Sequence, residues 1–165
     1  MFTETIKKVM RFPPLKRKSY LVQKTKKAQK SFPYILVAFN KFEGKITKDL
    51  LEKELAKYQY SFPDELIDFW LEYGGGELFQ TQNILYPFST QNEIIESMPE
   101  YNKRARNNAM NSRYIVFATD TVNVSVIDTK TNQVVLFDSI TENASVLKRF
   151  ANINQWFDYV WDSNM

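Results

Sequence analysis

Apolar side chains recur at helical spacing in three segments of the chain. The first segment follows Thr47, which can act as an N-cap, and continues to Tyr58. The second covers residues 62–73, where Pro63 suits the first helical position. The third begins at Ile153 and runs towards the C-terminus. The apolar stripes of these predicted helices are Leu50, Leu51, Leu55 and Tyr58; Phe62, Leu66, Phe69, Trp70 and Tyr73; and Ile153, Trp156, Phe157, Val160 and Trp161.

Runs of β-branched and aromatic residues predict a group of strands in the second half of the chain. Three strands are expected over residues 113–119, 122–128 and 133–139, and a polar turn at 129–132 joins the last two. Valines alternate with other residues in the middle strand, and this alternation predicts that one face of the strand is exposed to solvent. The remaining predictions are strands over 19–24, 32–39 and 77–88, and two short helices within 92–111 that Pro99 separates.

These patterns together predict an α+β protein, with a mainly antiparallel sheet and helices packed on it. No apolar run approaches the roughly 20 residues that a membrane-spanning helix needs. The first residues also lack the continuous apolar region of a secretory signal. We therefore expect a cytoplasmic protein that does not contact a membrane.

The composition removes several kinds of catalytic site, because the chain has no cysteine and no histidine. Without cysteine there is no disulfide, thiolate metal site or thiol nucleophile. Without histidine, the commonest general base and metal ligand is missing. We therefore expect a protein that is not an enzyme, with no catalytic residues, no metal site and no cofactor.

Charge is distributed unevenly along the chain. Residues 1–31 carry ten Lys or Arg and one acid, a net charge of +9, whereas residues 32–165 carry twelve basic and eighteen acidic residues, a net charge of −6. We predict a basic N-terminal arm over residues 1–40, able to add a strand to the sheet, followed by a domain over residues 41–165.

Three of the four glycines stand in a row at Gly74–Gly76. A phosphate-binding loop needs such a run after a strand, with a lysine that reaches the anion. Here the run follows a predicted helix, and Glu77 stands where the lysine would be needed. The order favours a helix C-terminus closed by a glycine in the left-handed conformation.

The segment "YSFPDELIDFWLEYGGGELF" (60–79) resembles the signature of the SUKH superfamily, which includes the yeast cell-wall assembly regulator and many bacterial immunity proteins. Phe62 and Pro63 match its Leu-Pro step, and Phe69 and Trp70 match its aromatic positions. The glycine run matches its turn, although Gly74 replaces an asparagine. The resemblance covers roughly residues 46–161 and leaves the basic arm outside.

The resemblance implies a binding module that neutralises a nuclease-type protein toxin by direct contact. An inhibitor of a nuclease faces a basic active site, so an acidic surface is expected to bind it. Residues 46–85 hold eight acids against three lysines. The candidate partner-binding residues are Asp64, Asp68, Glu72 and Glu77. The first three also have a purely structural interpretation, because they fit the solvent-exposed face of an amphipathic helix.

Two other functions remain open from the sequence. The basic arm interleaves lysines with Phe12, Tyr20 and Phe32, a pattern that suits nucleic acid or another anionic partner. The resemblance also allows a regulatory scaffold.

Two further groups of charged residues have mainly structural interpretations. Acids at the ends of predicted strands are typical turn residues, although paired carboxylates could also serve catalysis or hold a cation. A small basic cluster is expected to be solvated. The acids are Asp120, Asp128 and Asp138, and the basic residues are Arg104, Arg106 and Arg113.

Overall fold

The computed structural model describes residues 19–80, 82–88 and 96–164. Its centre is a seven-stranded sheet in which every neighbouring pair is antiparallel and the strands follow one another in chain order. This confirms the predicted α+β class. The strands are β1 (Leu36–Ala38), β2 (Gly76–Leu78), β3 (Gln82–Ile84), β4 (Tyr114–Thr119), β5 (Val124–Asp128), β6 (Val134–Phe137) and β7 (Val146–Phe150).

Helices flank this sheet, and the three that periodicity predicted are all present. The Thr47 hydroxyl accepts a hydrogen bond from Leu50 N at 3.3 Å, as expected of an N-cap. Asn152 accepts from Gln155 N while the Gln155 side chain accepts from Ala151 N, which fixes the start of the last helix. The helices are α1 (Tyr20–Gln29), α2 (Asn40–Glu43), α3 (Lys48–Ala56), α4 (Asp64–Tyr73), α5 (Met98–Asn107) and α6 (Ile153–Asn164).

The helix α6 covers one face of the sheet. Trp156 donates from its indole nitrogen to the Ser125 hydroxyl at 2.9 Å and stacks edge-on against Phe117. Two other helices, α1 and α4, contact α6 and each other, so the three form one layer. Trp70, Phe69, Trp156 and Phe157 are buried in the same hydrophobic core.

The prediction that the strand over 122–128 has a wet face was wrong. Every residue of β5 is buried, and so are those of β6. Val122, which the alternation had assigned to the strand, lies outside it and is 75% exposed. The strand is central and covered on both faces, so its burial does not follow the alternation typical of half-exposed strands.

The segment 19–24, predicted as a strand, forms the start of helix α1 instead. Leu21, Val22 and Thr25 are buried, which is the spacing of a helix face and not of a strand. Tertiary contacts with α4 and α6 supply the apolar partner that this short, lysine-rich segment needs. Only part of the predicted strand over 32–39 is present, as β1 at the edge of the sheet, because Pro33–Ile35 forms a short 3-10 helix. The division of the chain at residue 40 stays a prediction.

Pro99 lies in the first turn of α5, where its missing N–H costs no hydrogen bond, and Ser97 with Glu100 forms a capping box around it. Of the predicted 92–111 region, residues 92–95 lie outside the described residues, so the predicted helix before Pro99 stays a prediction. The strand β7 was not predicted at all.

The glycine run is the turn that the sequence predicted. Gly74 has φ 70° and its N–H donates to Trp70 O at 2.6 Å, which closes the C-terminus of α4. Gly76 leads into β2, where an added Cβ would stand 2.6 Å from Leu36 Cδ1 and 2.9 Å from Val37 O. The run therefore reverses the chain and lets β1 and β2 approach closely.

Candidate partner-binding surface

The acidic surface predicted from the sequence begins on helix α4. Asp64 and Glu65 lie in the first turn, where their charge favours the positive end of the helix. Asp68 follows one turn later on the side away from the buried Phe69 and Trp70, and Glu72 follows after another turn at the flank of the buried face. Asp64 is exposed, whereas Asp68 and Glu72 are partly buried. The structure thus aligns three of the four predicted residues along one helix.

Helix α1 lies beside the acidic residues of α4 and places a lysine against one of them. Lys26 forms a salt bridge with Glu72 in which both side chains are about one-third exposed. The Tyr73 hydroxyl at the end of α4 also meets Gln29 Oε1 at 3.4 Å. The carboxylate of Glu72 is therefore already neutralised at one end of α4. The sequence did not indicate this pairing, because residues 26 and 72 are far apart along the chain.

Glu77 lies on a different surface from the three helical acids. Its register partners across the sheet are Val37 on β1 and Asn83 on β3. Side chains alternate along a strand, so Glu77 points away from the face that carries Gly76 and Leu78. The register of β2, β3, β4 and β5 places Gly76 on the same face of the sheet as Ser125, which contacts α6. Glu77 is therefore on the opposite side of the sheet from the layer that contains α4.

The acids at strand ends have structural roles. Asp120 accepts from Val122 N at 2.7 Å and Asn123 N at 2.6 Å, and Asp138 accepts from Ser145 N at 2.8 Å. Asp128 accepts two hydrogen bonds from the Arg113 guanidinium, one of them from Nε at 2.9 Å. These carboxylates stabilise turns, as the structural interpretation predicted, whereas the ion pair of the buried Asp128 with the partly exposed Arg113 was not predicted. Within the described residues, no group of three or more acids is arranged to hold a metal ion.

The environment of Asp128 alters its titration. The carboxylate is buried, and burial would raise its pKa. Hydrogen bonds from Arg113, from the Lys130 backbone and from Thr131 outweigh this effect, so the pKa lies below its ordinary value. The folded protein therefore favours the ionised form of the Asp128 carboxylate.

The basic cluster predicted to be solvated is mostly engaged in the fold. Arg106 donates to three backbone carbonyls, including Tyr114 O at 3.0 Å, and burial lowers its pKa. Arg113 holds Asp128, and Arg104 pairs with Glu96 at 3.0 Å while it covers the Tyr101 ring. The prediction was wrong for Arg106, which binds loop carbonyls near the start of β4, and for Arg113, which binds Asp128, whereas Arg104 is exposed.

The basic arm is also partly engaged by the domain. Lys24 binds Asp158 of α6 at 2.9 Å, and Tyr20 donates to the same carboxylate at 2.6 Å. These contacts lower the pKa of Asp158, with the Tyr20 hydrogen bond as the largest cause. Two of the four lysines on the described part of the arm thus form ion pairs with the body. Lys27 and Lys30 remain exposed.

The fold and this charged helical surface define an α+β module that carries an acidic helix face. The chain belongs to the SMI1/KNR4 family (SUKH-1), whose family model matches residues 45–159. The match confirms the resemblance seen in the aromatic helix and glycine turn. Helix α1, strand β1 and helix α2 lie before the matched region. A search of curated proteins found no match.

None of the helices in the described part of the chain combines the length and apolar character required to cross a bilayer.

Proposed function

We propose that this protein is a non-enzymatic, cytoplasmic binding module of the immunity type, which neutralises a nuclease-type protein toxin by direct contact. Membership of the SUKH-1 family carries this proposal. The composition supports it, because a chain without histidine or cysteine lacks the commonest catalytic side chains.

The surface proposed for the toxin is centred on the first half of helix α4. Asp64 lies in the first turn, at the positive end of the helix, and Asp68 follows one turn later, both on the side opposite the buried aromatic face. Nuclease active sites carry Lys and Arg to hold phosphate, so an acidic helix offers the same charge as the substrate. Charges at such an interface accelerate encounter, and those that lose water at its centre slow dissociation.

Glu72 and Glu77 have weaker support than the other two predicted residues. Glu72 already pairs with Lys26, so a toxin arginine would have to compete with that lysine. Glu77 lies across the sheet from α6 and would need a partner that wraps around the edge strand β1. We therefore centre the main interface on the exposed Asp64 with Asp68 one turn further along α4, and assign Glu72, at the far end of the helix, and Glu77, on the other side of the sheet, to its periphery.

Charge reversal on α4 tests this proposal. The Asp64→Lys/Asp68→Lys double variant should bind a basic nuclease domain encoded beside the gene at least about tenfold more weakly than the wild type. Inhibition of the nuclease should weaken in parallel. Isothermal titration and a nuclease assay measure the two effects, and circular dichroism checks that the variant folds.

A matched control separates the interface from a general effect of charge. Glu142→Lys/Asp162→Lys changes the net charge equally at two exposed acids outside α4. The control should retain wild-type affinity. Equal losses in both variants would mean that long-range charge alone attracts the toxin. Wild-type affinity in the α4 variant would place the interface elsewhere, and absence of any inhibition would contradict the immunity function itself.

A further inference from the structure

Strand β7 forms an open edge of the sheet. It pairs with β6 along one side, and among the described residues no backbone hydrogen bond joins its other side to another segment. Its residues 146–149 are all exposed. Val146 and Leu147 are 42% and 51% exposed, although both are apolar. The edge thus offers unpaired backbone groups together with accessible apolar side chains.

The opposite edge of the sheet is less suited to pairing. Strand β1 contains three residues, whereas β7 contains five. A shorter strand offers fewer outward backbone groups that can form hydrogen bonds with an added strand. Natural proteins keep edges short or charge them because an open edge attracts other strands. Strand β7 is the longer edge, and its pairing with β6 shifts register at Leu147. Its two charges, Lys148 and Arg149, guard it against basic or apolar strands but not against an acidic one.

The two charged residues of β7 point to opposite faces. Lys148 pairs in register with Leu136, which shares the face of Ser125 and α6, whereas Arg149 pairs with Val135. Lys148 lies 4.4 Å from the centre of the Tyr159 ring, which holds its ammonium beside the edge. Within the described residues, neither cation forms a salt bridge.

We propose that β7 binds an extended peptide segment that carries two consecutive acids followed by two apolar residues, added antiparallel as an eighth strand. Backbone hydrogen bonds to the open edge supply the main affinity of this recognition mode, and side chains supply specificity. In the antiparallel arrangement the two acids stand beside Arg149 and Lys148, one on each face. The apolar residues then stand beside Leu147 and Val146.

The charges argue against a second copy of this chain as the occupant. Two β7 strands that pair antiparallel would bring two copies of Lys148 and two of Arg149 into one seam. Like charges on neighbouring strands are destabilising. An acidic segment removes this repulsion and replaces it with attraction, so the occupant is of opposite charge.

This edge is separate from the acidic surface proposed for the toxin. Strand β7 is basic at its centre and is the seventh strand of the sheet, whereas the toxin surface lies on α4. The loss of one interaction therefore leaves the other measurable, and the inference stands independently of the immunity function.

The test uses a fluorescein-labelled peptide of sequence Thr-Glu-Glu-Val-Ile-Thr and the full chain. Fluorescence anisotropy should show saturable binding. A permuted peptide, Thr-Glu-Val-Glu-Ile-Thr, has the same composition and charge but sets only one acid beside a cation. It should bind more weakly. The first peptide, when alternate backbone nitrogens are methylated, cannot donate hydrogen bonds to the edge of the sheet and should not bind.

Protein variants locate the site. Lys148→Glu/Arg149→Glu should lower the affinity for the first peptide at least about tenfold, since both charges become repulsive. Lys41→Glu/Lys103→Glu makes the same change of net charge at exposed lysines on α2 and α5 and should bind like the wild type. No binding at millimolar peptide, or equal binding of the methylated peptide, would overturn the proposal.

Discussion

At the residue scale, the most constrained side chain is Trp70. It is fully buried, its indole donates to Leu85 O at 3.0 Å, and the Phe62 ring meets it edge-on at 5.6 Å. The helical spacing of aromatics in residues 62–73 predicted this burial. The hydrogen bond explains how the core accommodates the polar indole nitrogen without an unpaired donor.

We expect Trp70→Ala to lower the free energy of unfolding by about 3–5 kcal/mol, because it leaves a large cavity in the core. It also leaves the Leu85 carbonyl without its donor. Urea titration followed by circular dichroism measures the loss. Tyr34→Ala, at an exposed aromatic, is the control and should change stability little. A loss under about 1 kcal/mol for Trp70→Ala would show that α4 is not packed as described.

The ion pair between the partly exposed Arg113 and the buried Asp128 is a second constraint at this scale. Its carboxylate has a pKa below the ordinary value, so the folded state favours the ionised form more than the unfolded chain does. The stabilisation is therefore complete at neutral pH and is lost as the pH falls below about 4, where the unfolded carboxylate gains its proton first.

We expect Arg113→Met to lower the melting temperature by several degrees at pH 7, because it leaves a buried carboxylate without its cation. Protonation of Asp128 removes the charge interaction in both proteins, so the difference from the wild type should shrink as the pH falls below about 4. Thermal melts at pH 7, 5 and 3 provide the test. A difference that does not vary with pH would mean that packing, and not charge, explains the loss.

At the element scale, helix α1 is part of the folded body, although it lies before the region that the family match covers. Leu21 and Val22 are buried in the common core, and Lys24 and Lys26 pair with α6 and α4. The helix therefore joins two elements that are themselves far apart along the chain.

Two truncations test the contribution of α1. Deletion of residues 1–31 should lower the melting temperature by several degrees relative to deletion of residues 1–18, because burial of each apolar side chain contributes about 1.5–3 kcal/mol. The shorter truncation is the reference, since it keeps the whole helix. Equal melting temperatures for the two proteins would indicate that α1 contributes nothing to the body.

At the scale of the whole molecule, charge of opposite sign lies on different surfaces. The acids of α4 and the cations of β7 occupy different elements, and the basic arm is partly neutralised by the body. This arrangement suits two partners of opposite charge better than a single partner attracted by one uniformly charged surface. It also leaves fewer lysines for the alternative function of the arm, which is to bind nucleic acid.

That alternative gives a clear salt dependence. Single-stranded DNA should bind the full chain only at low ionic strength, and the affinity should fall steeply towards physiological salt as counterions are released. Lys27→Glu/Lys30→Glu removes the two exposed lysines of the described arm and should weaken binding further. Anisotropy titrations at several salt concentrations measure this. Salt-insensitive binding, or no binding at low salt, would remove this function.

The sequence alone determined the features that depend on neighbours within a few residues. The helices over residues 47–58 and 62–73, the last helix with its cap, and the glycine turn all follow from periodicity, capping side chains and backbone freedom. The central strands and the family resemblance followed from the same local patterns.

Only the tertiary structure decided the features that depend on distant contacts. The segment 19–24 became helical because α4 and α6 cover its apolar face, and β5 lost its wet side because the sheet is covered on both faces. The salt bridge of Glu72 with Lys26 and the separation of Glu77 from α4 also depend on how the chain folds back. Local sequence carries no signal for such contacts, because their energy comes from residues that meet only in the folded protein.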